Sequence, residues 1–140
     1  MSRIKLTMPE KILYKTKIAV RITDINYGNH LGNDSVLSIA HEARVRFLNS
    51  LGYSEMDVDS AAIIMSDAAV VYQREAFYGE RLEIDMAVGD ISRKSCDFFY
   101  HIKNENQQSV AIVKTGIVFF DYKTKKPQRV PEAFLDKISR

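Results

Sequence analysis

RITDINYGNHLGNDSVLSIAHEARVRFLNSLG, residues 21–52, decides the reading of this chain. A polar loop with two glycines runs from Thr23 to Asn33 and feeds one helix, predicted over Asp34–Leu51. Val36, Ala40, Ala43, Phe47 and Leu51 recur at steps of four and three, which places them on one helix face. Leu37, Ile39 and Leu48 widen that stripe to the breadth a core-facing helix needs. Asn33 or Asp34 is suited to cap the first turn, and Gly52 to the left-handed residue past the end. The opposite face carries Ser38, Glu42, Arg46 and Asn49. A polar loop leading into a helix N-terminus concentrates backbone N–H donors, so chemistry is expected there.

Outward from this stretch the periodicity changes. Ile12, Tyr14, Ile18, Val20 and Ile22 share one parity, the mark of a half-buried strand over Ile12–Thr23. Beyond the helix, strands are predicted over Ile63–Glu75, Arg81–Ser92, Ser95–Asn104 and Ser109–Tyr122, and Gly116 is expected to mark a bulge in the last. Pro131–Ile138 reads as a short terminal helix with proline at its first position, and Met1–Glu10 as a leader. The order β-α-β-β-β-β implies an α+β domain over residues 1–140, with a five-stranded, mostly antiparallel sheet curled around the helix. The open sheet edges invite a second copy.

Composition narrows the class. The chain has 140 residues, 46% of them hydrophobic, which suffices for one domain with a real core. Twenty basic and eighteen acidic residues leave a net charge of +2, and no basic stripe precedes Lys123–Arg129, so nucleic acid is not expected as a partner. Lys123–Arg129 itself reads as a solvated turn. The single cysteine, Cys96, admits no internal disulfide and suits a reducing compartment. No membrane span or signal peptide is legible, and cytoplasm is the expected location. His41 and His101 have no partner at metal-ligand spacing, and neither a nucleotide loop nor a nucleophile elbow is present.

The element order, together with DINYGNHLGND and HEARVRFLNSLGY, resembles the hot-dog fold acyl-CoA and acyl-carrier-protein thioesterases, among them the 4-hydroxybenzoyl-CoA thioesterase-like proteins. Their pattern is roughly Asp-x-Asp, His-Val-Asn-Asn and Glu-Ala-Arg. Asp24, His30, Leu31, Asn33, Glu42, Ala43 and Arg44 fall on it without a gap. VYQREAFYGERLEI and TGIVFFDYKTKKPQRVPEAF resemble the later strands and tail. The resemblance implies a cofactor-free acyl-thioester hydrolase acting on acyl-CoA or acyl-ACP. It also implies a homodimer or dimer of dimers, with the acyl chain held between central helices.

Two positions depart from the pattern. The usual catalytic aspartate is Asn26, which cannot serve as a base, and the first asparagine of the pair is Gly32. The expected catalytic group is then Glu42 on the central helix, with Asn26, Asp24 and His30 around it. Gly32, Asn33, Asp34 and Ser35 are expected to bind substrate, with the backbone N–H groups of Asn33 to Ser35 as the oxyanion donors. Glu42 also has a purely structural reading as the i,i+4 partner of Arg46, and Asp24 one as a turn cap. A non-catalytic acyl-CoA-binding protein, favoured by Asn26, and a dehydratase or hydratase using His30 and Glu42 are the alternatives.

Overall fold

The computed structural model describes residues 3–140; Met1 and Ser2 of the leader lie outside the described residues. The elements are β1 (Tyr14–Ala19), a single 3-10 turn (Ile22–Asp24), α1 (Asn33–Ser50), β2 (Ala62–Tyr72), β3 (Arg81–Gly89), β4 (Ser95–Lys103), β5 (Ser109–Asp121), β6 (Lys126–Pro127) and α2 (Glu132–Ile138). The sheet runs β1-β3-β4-β5-β2, antiparallel throughout, and the two-residue β6, a strand beyond the five expected, pairs with β5. β1 and β2 are the two edges, and α1 lies across the sheet between them.

The helix buries Val36, Ile39, Ala40, Ala43, Phe47 and Leu48 against Ile84, Phe98, Val113, Ile117 and their neighbours. Two small residues, Ala40 and Ala43, let the helix backbone come close to the sheet. At the far end Phe47, Phe98, Phe119 and Phe134 form an edge-on and tilted aromatic cluster, with Phe134 supplied by α2. Lys137 of α2 donates to the Leu51 carbonyl and sits over the Tyr53 ring, tying down the C-terminus of α1. Gly52 has φ +84°, the left-handed conformation expected of it.

Several sequence expectations are corrected. β1 ends at Ala19, and Ile22 turns outward to 66% exposure, because the chain leaves the sheet for the 3-10 turn. Leu37 stands 37% exposed on the outer side of α1, whereas Arg44 is buried at 6%. The bulge lies in β2 at Ser66, between Met65 and Asp67, facing Gly116 on β5. A Cβ on Gly116 would collide with Asp67 and with Ser66 Oγ at 2.6 Å, so the glycine makes room for the bulged strand.

Arg44 is accommodated by a chain of partners. Its Nε donates to Glu55 at 2.9 Å and its Nη1 to the Tyr100 hydroxyl at 3.0 Å, and that hydroxyl lies 2.8 Å from Thr115 Oγ1. Burial opposes the charge on Arg44, but Tyr100 and Glu55 more than offset it and raise its pKa. Burial likewise pushes the Glu55 carboxyl up, yet hydrogen bonds from Arg44 and His41 outweigh it and hold the carboxyl below its ordinary value. Tyr100→Phe removes the link in the middle of this chain and leaves a buried guanidinium nitrogen unpaired. It is expected to cost about 1–3 kcal/mol of stability, read from the midpoint of denaturant unfolding.

Candidate active site

The loop before α1 is built by its own polar groups. Asp24 is 3% exposed, and its carboxylate accepts from the backbone N–H of Arg21 at 2.8 Å and from the Arg21 guanidinium at 3.1 and 3.3 Å. This places Asp24 in the turn-capping role. Asn26 Oδ1 accepts from the Gly28 N–H at 2.9 Å, while the Asn26 N–H donates to the His30 carbonyl at 3.0 Å. Asn29 takes φ 65°, which an asparagine tolerates. The Leu31 N–H donates to the Ala76 carbonyl and the Gly32 N–H to the Asp24 carbonyl, so the loop is stitched to itself and to the segment after β2.

The N-cap of α1 is Gly32, not Asn33 or Asp34, and no side chain caps the first turn. Asn33 is already helical, so its side chain lies past the capping position. The Ser35 N–H donates to the Gly32 carbonyl at 3.1 Å and is therefore not free for a ligand, which narrows the expected donors to Asn33 and Asp34. Both residues are exposed, and the geometry of a helix start leaves their N–H groups without intrahelical acceptors. A cleft of about 240 Å³ opens beside them, lined by His30, Asn33, Tyr72, Arg74 and Glu75 among others. His30 Nε2 lies 3.9 Å from a Glu75 oxygen, and the Tyr72 hydroxyl donates to the Asn33 carbonyl.

Glu42 belongs to a different place. It lines a groove of about 400 Å³ between the outer face of α1 and β1, with Ile18, Arg21, Ser38, His41, Val45 and Arg46. Its carboxylate is 53% exposed and accepts from Arg46 Nε at 2.9 Å, the i,i+4 pairing read from the sequence. Arg46 Nη1 also holds Thr16 Oγ1 and the Lys17 carbonyl, which fixes the ion pair against β1. Asp34, Ser38 and Glu42 follow at i, i+4 and i+8, so a polar stripe runs about 12 Å along α1 from its N-terminus to this groove. The loop residues Asn26, His30 and Gly32 are thus brought together with Asn33 and Asp34, and Glu42 is not among them.

Two carboxylates that touch residues lining these clefts were not read from the sequence. Glu75 follows β2 and reaches His30 only because residues 24–32 and 76 are hydrogen-bonded across the molecule. Glu55 sits 2.8 Å from His41 Nε2, giving that histidine a carboxylate partner. Cys96 is buried, and burial pushes its thiol up to about 12, which removes it as a nucleophile.

A family model described as the thioesterase-like superfamily matches residues 20–138. A 1,4-dihydroxy-2-naphthoyl-CoA hydrolase from Synechococcus elongatus is 26% identical over 127 residues, covering 88% of this chain and 93% of that protein. Among solved structures, a 1,4-dihydroxy-2-naphthoyl-CoA thioesterase from Synechocystis superposes with a TM-score of 0.81 at 21% identity, covering 90% of this chain and 95% of that one. A Staphylococcus aureus protein in complex with CoA superposes with a TM-score of 0.82 at 18% identity, covering 96% and 86%. These likenesses show the fold, and the architecture expected from the sequence is the one found.

Asp24→Asn keeps the shape of the side chain and removes its charge. It is expected to lower the midpoint of thermal unfolding through the weakened bonds to the Arg21 backbone and side chain.

Proposed function

This chain belongs to the thioesterase-like superfamily, and we propose that it hydrolyses acyl-CoA thioesters on the outer face of α1, with Glu42 as the catalytic carboxylate. The observation that carries the reading is the groove in which Glu42 lies with Ser38, His41 and two arginines, on the one helix face that the core leaves free. The pantetheine arm enters past Gly32. Its amide carbonyls accept from the free N–H groups of Asn33 and Asp34, and Asn26 and His30 shape the entrance through the loop they hold together. The arm spans the stripe of about 12 Å to the groove, where the thioester meets Glu42. Ser38 is placed to donate its hydroxyl to the developing oxyanion. Glu42 is the nucleophile: its half-exposed carboxylate, held in the groove by Arg46, attacks the carbonyl carbon.

CoA, not a carrier protein, is the favoured carrier, since the relatives' names specify CoA thioesters and one structural neighbour holds CoA. Because the named relatives act on an aromatic acyl group, benzoyl-CoA and 1,4-dihydroxy-2-naphthoyl-CoA belong in the test panel beside aliphatic acyl-CoAs. One observation favours a silent acyl-CoA-binding protein instead: the Asn26 carboxamide, at the usual aspartate position, is spent on the Gly28 amide. Release of free thiol from the panel decides. Turnover on any member supports the hydrolase, and CoA binding without thiol release supports the silent reading.

Glu42→Gln keeps the side-chain shape and is expected to reduce kcat by about 10²–10⁴ with little change in substrate binding. Near-normal turnover would reject the assignment and pass the role to His30 with Glu75. The outer face of α1, with exposed Leu37 and Ser38 and half-buried Val45, and the open edges of β1 and β2 are proposed to be covered by a second copy. Sedimentation is expected to show a dimer or larger, and only a 16 kDa species at micromolar concentration would refute it.

A further inference from the structure

We infer that His41, oriented by Glu55, is a second catalytic residue that activates the water for release of the acyl group. The inference rests on the reading that Glu42 is the nucleophile. His41 Nε2 lies 2.8 Å from Glu55 Oε1. Ionised carboxylate oxygens only accept, so Nε2 carries a ring proton, and in the neutral imidazole the lone pair is then on Nδ1. That is the tautomer a general base needs, fixed by a carboxylate in the manner of other oriented imidazoles. Glu55 is itself fixed: its other oxygen accepts from buried Arg44 at 2.9 Å, and Arg44 is locked to Tyr100 and through it to Thr115. The same partners hold the Glu55 carboxyl below its ordinary value, so it remains an anion beside the imidazole.

The imidazole is also in the right place. His41 lines the groove of Glu42 on one side and, on the other, a smaller cavity of about 220 Å³ with Leu37, Ser38, Arg44, Met65 and Thr115. The charged groups around it are Glu42 and Arg46 on α1, Arg21 after β1, and the Arg44–Glu55 pair beneath. Glu42 and Arg46 are paired with each other and Arg21 with Asp24, which leaves Glu55 as the carboxylate bonded to His41. An anchor for the 53–61 segment would need only the Arg44–Glu55 bond; the exposed imidazole adds a proton acceptor at the groove.

A Glu42 carboxylate oxygen bonds to the thioester carbon and the C–S bond breaks, with its electron pair leaving on sulfur as the CoA thiolate, which takes a proton from solvent. Water then adds to the acyl–Glu42 carbon as His41 Nδ1 takes its proton. The C–O bond to Glu42 breaks and returns the Glu42 carboxylate, and the imidazolium passes its proton to solvent.

The experiment is rapid-quench thiol release from benzoyl-CoA, or from whichever panel member the wild type hydrolyses fastest. His41→Gln is expected to release a burst of about one CoA per chain and then turn over about 10²–10⁴-fold more slowly than wild type, with an acyl adduct on Glu42 found by mass spectrometry. Glu55→Gln keeps a hydrogen-bonding partner for His41 but removes the charge, and is expected to slow the same phase to a smaller extent. In His41→Ala, added imidazole is expected to restore release of the acyl group, which a merely structural role would not allow. An active wild type whose His41→Gln variant shows normal turnover, or slow turnover without burst and adduct, overturns this inference alone. A wild type that releases no thiol from any acyl-CoA overturns the hydrolase reading and this one together.

Discussion

Val36, Ile39, Ala40, Ala43, Phe47 and Leu48 take the underside of α1 out of water, against the buried apolar side chains of the sheet. At about 1.5–3 kcal/mol for each large apolar side chain buried, this face outweighs any single polar contact in the molecule. The consequence is geometric. A helix of 18 residues pinned along one side by a sheet cannot turn its other side inward, so Ser38, His41 and Glu42 remain on the surface, beside the half-buried Val45. The aromatic cluster and α2 fill the space beneath the C-terminal half of α1, which directs the accessible grooves to the outer face and the N-terminus.

Arg44 is the exception within that buried face, and its presence needs a physical reason. An arginine removed from water is costly unless paired and hydrogen-bonded. Glu55, Tyr100 and Thr115 meet that requirement in sequence, linking α1 to the 53–61 segment and to strands β4 and β5. The same network fixes the carboxylate that contacts His41, a residue of the surface groove. A core-locking device and the orientation of an exposed histidine are therefore one arrangement.

The loop before α1 shows a comparable economy. Asp24 and Asn26 direct their side-chain oxygens to backbone and guanidinium donors within the loop, and these bonds hold the uncapped start of α1 open. A capping serine or aspartate would occupy the donors that the Gly32 N-cap leaves free. The feature that weakens the helix start locally is the one that leaves its backbone donors open.

Periodicity alone determined the helix, its length, the parity of the strands and the order of elements, because burial of one face imposes repeats of 3.6 and 2 on any sequence. The i,i+4 pair of Glu42 with Arg46 and the turn role of Asp24 were legible for the same reason: both are local. Where a residue's partner is distant the sequence was silent. Leu37 and Arg44 sit where the helical stripe suggests the reverse burial: Leu37 is 37% exposed, while Tyr100 accepts from the buried guanidinium of Arg44. Glu55 lies in an irregular segment 11 residues beyond Arg44, and Glu75 reaches His30 only across a closed loop. Such pairings depend on where the folded backbone places two side chains, a quantity that no spacing along the chain encodes, so only the tertiary structure decided them.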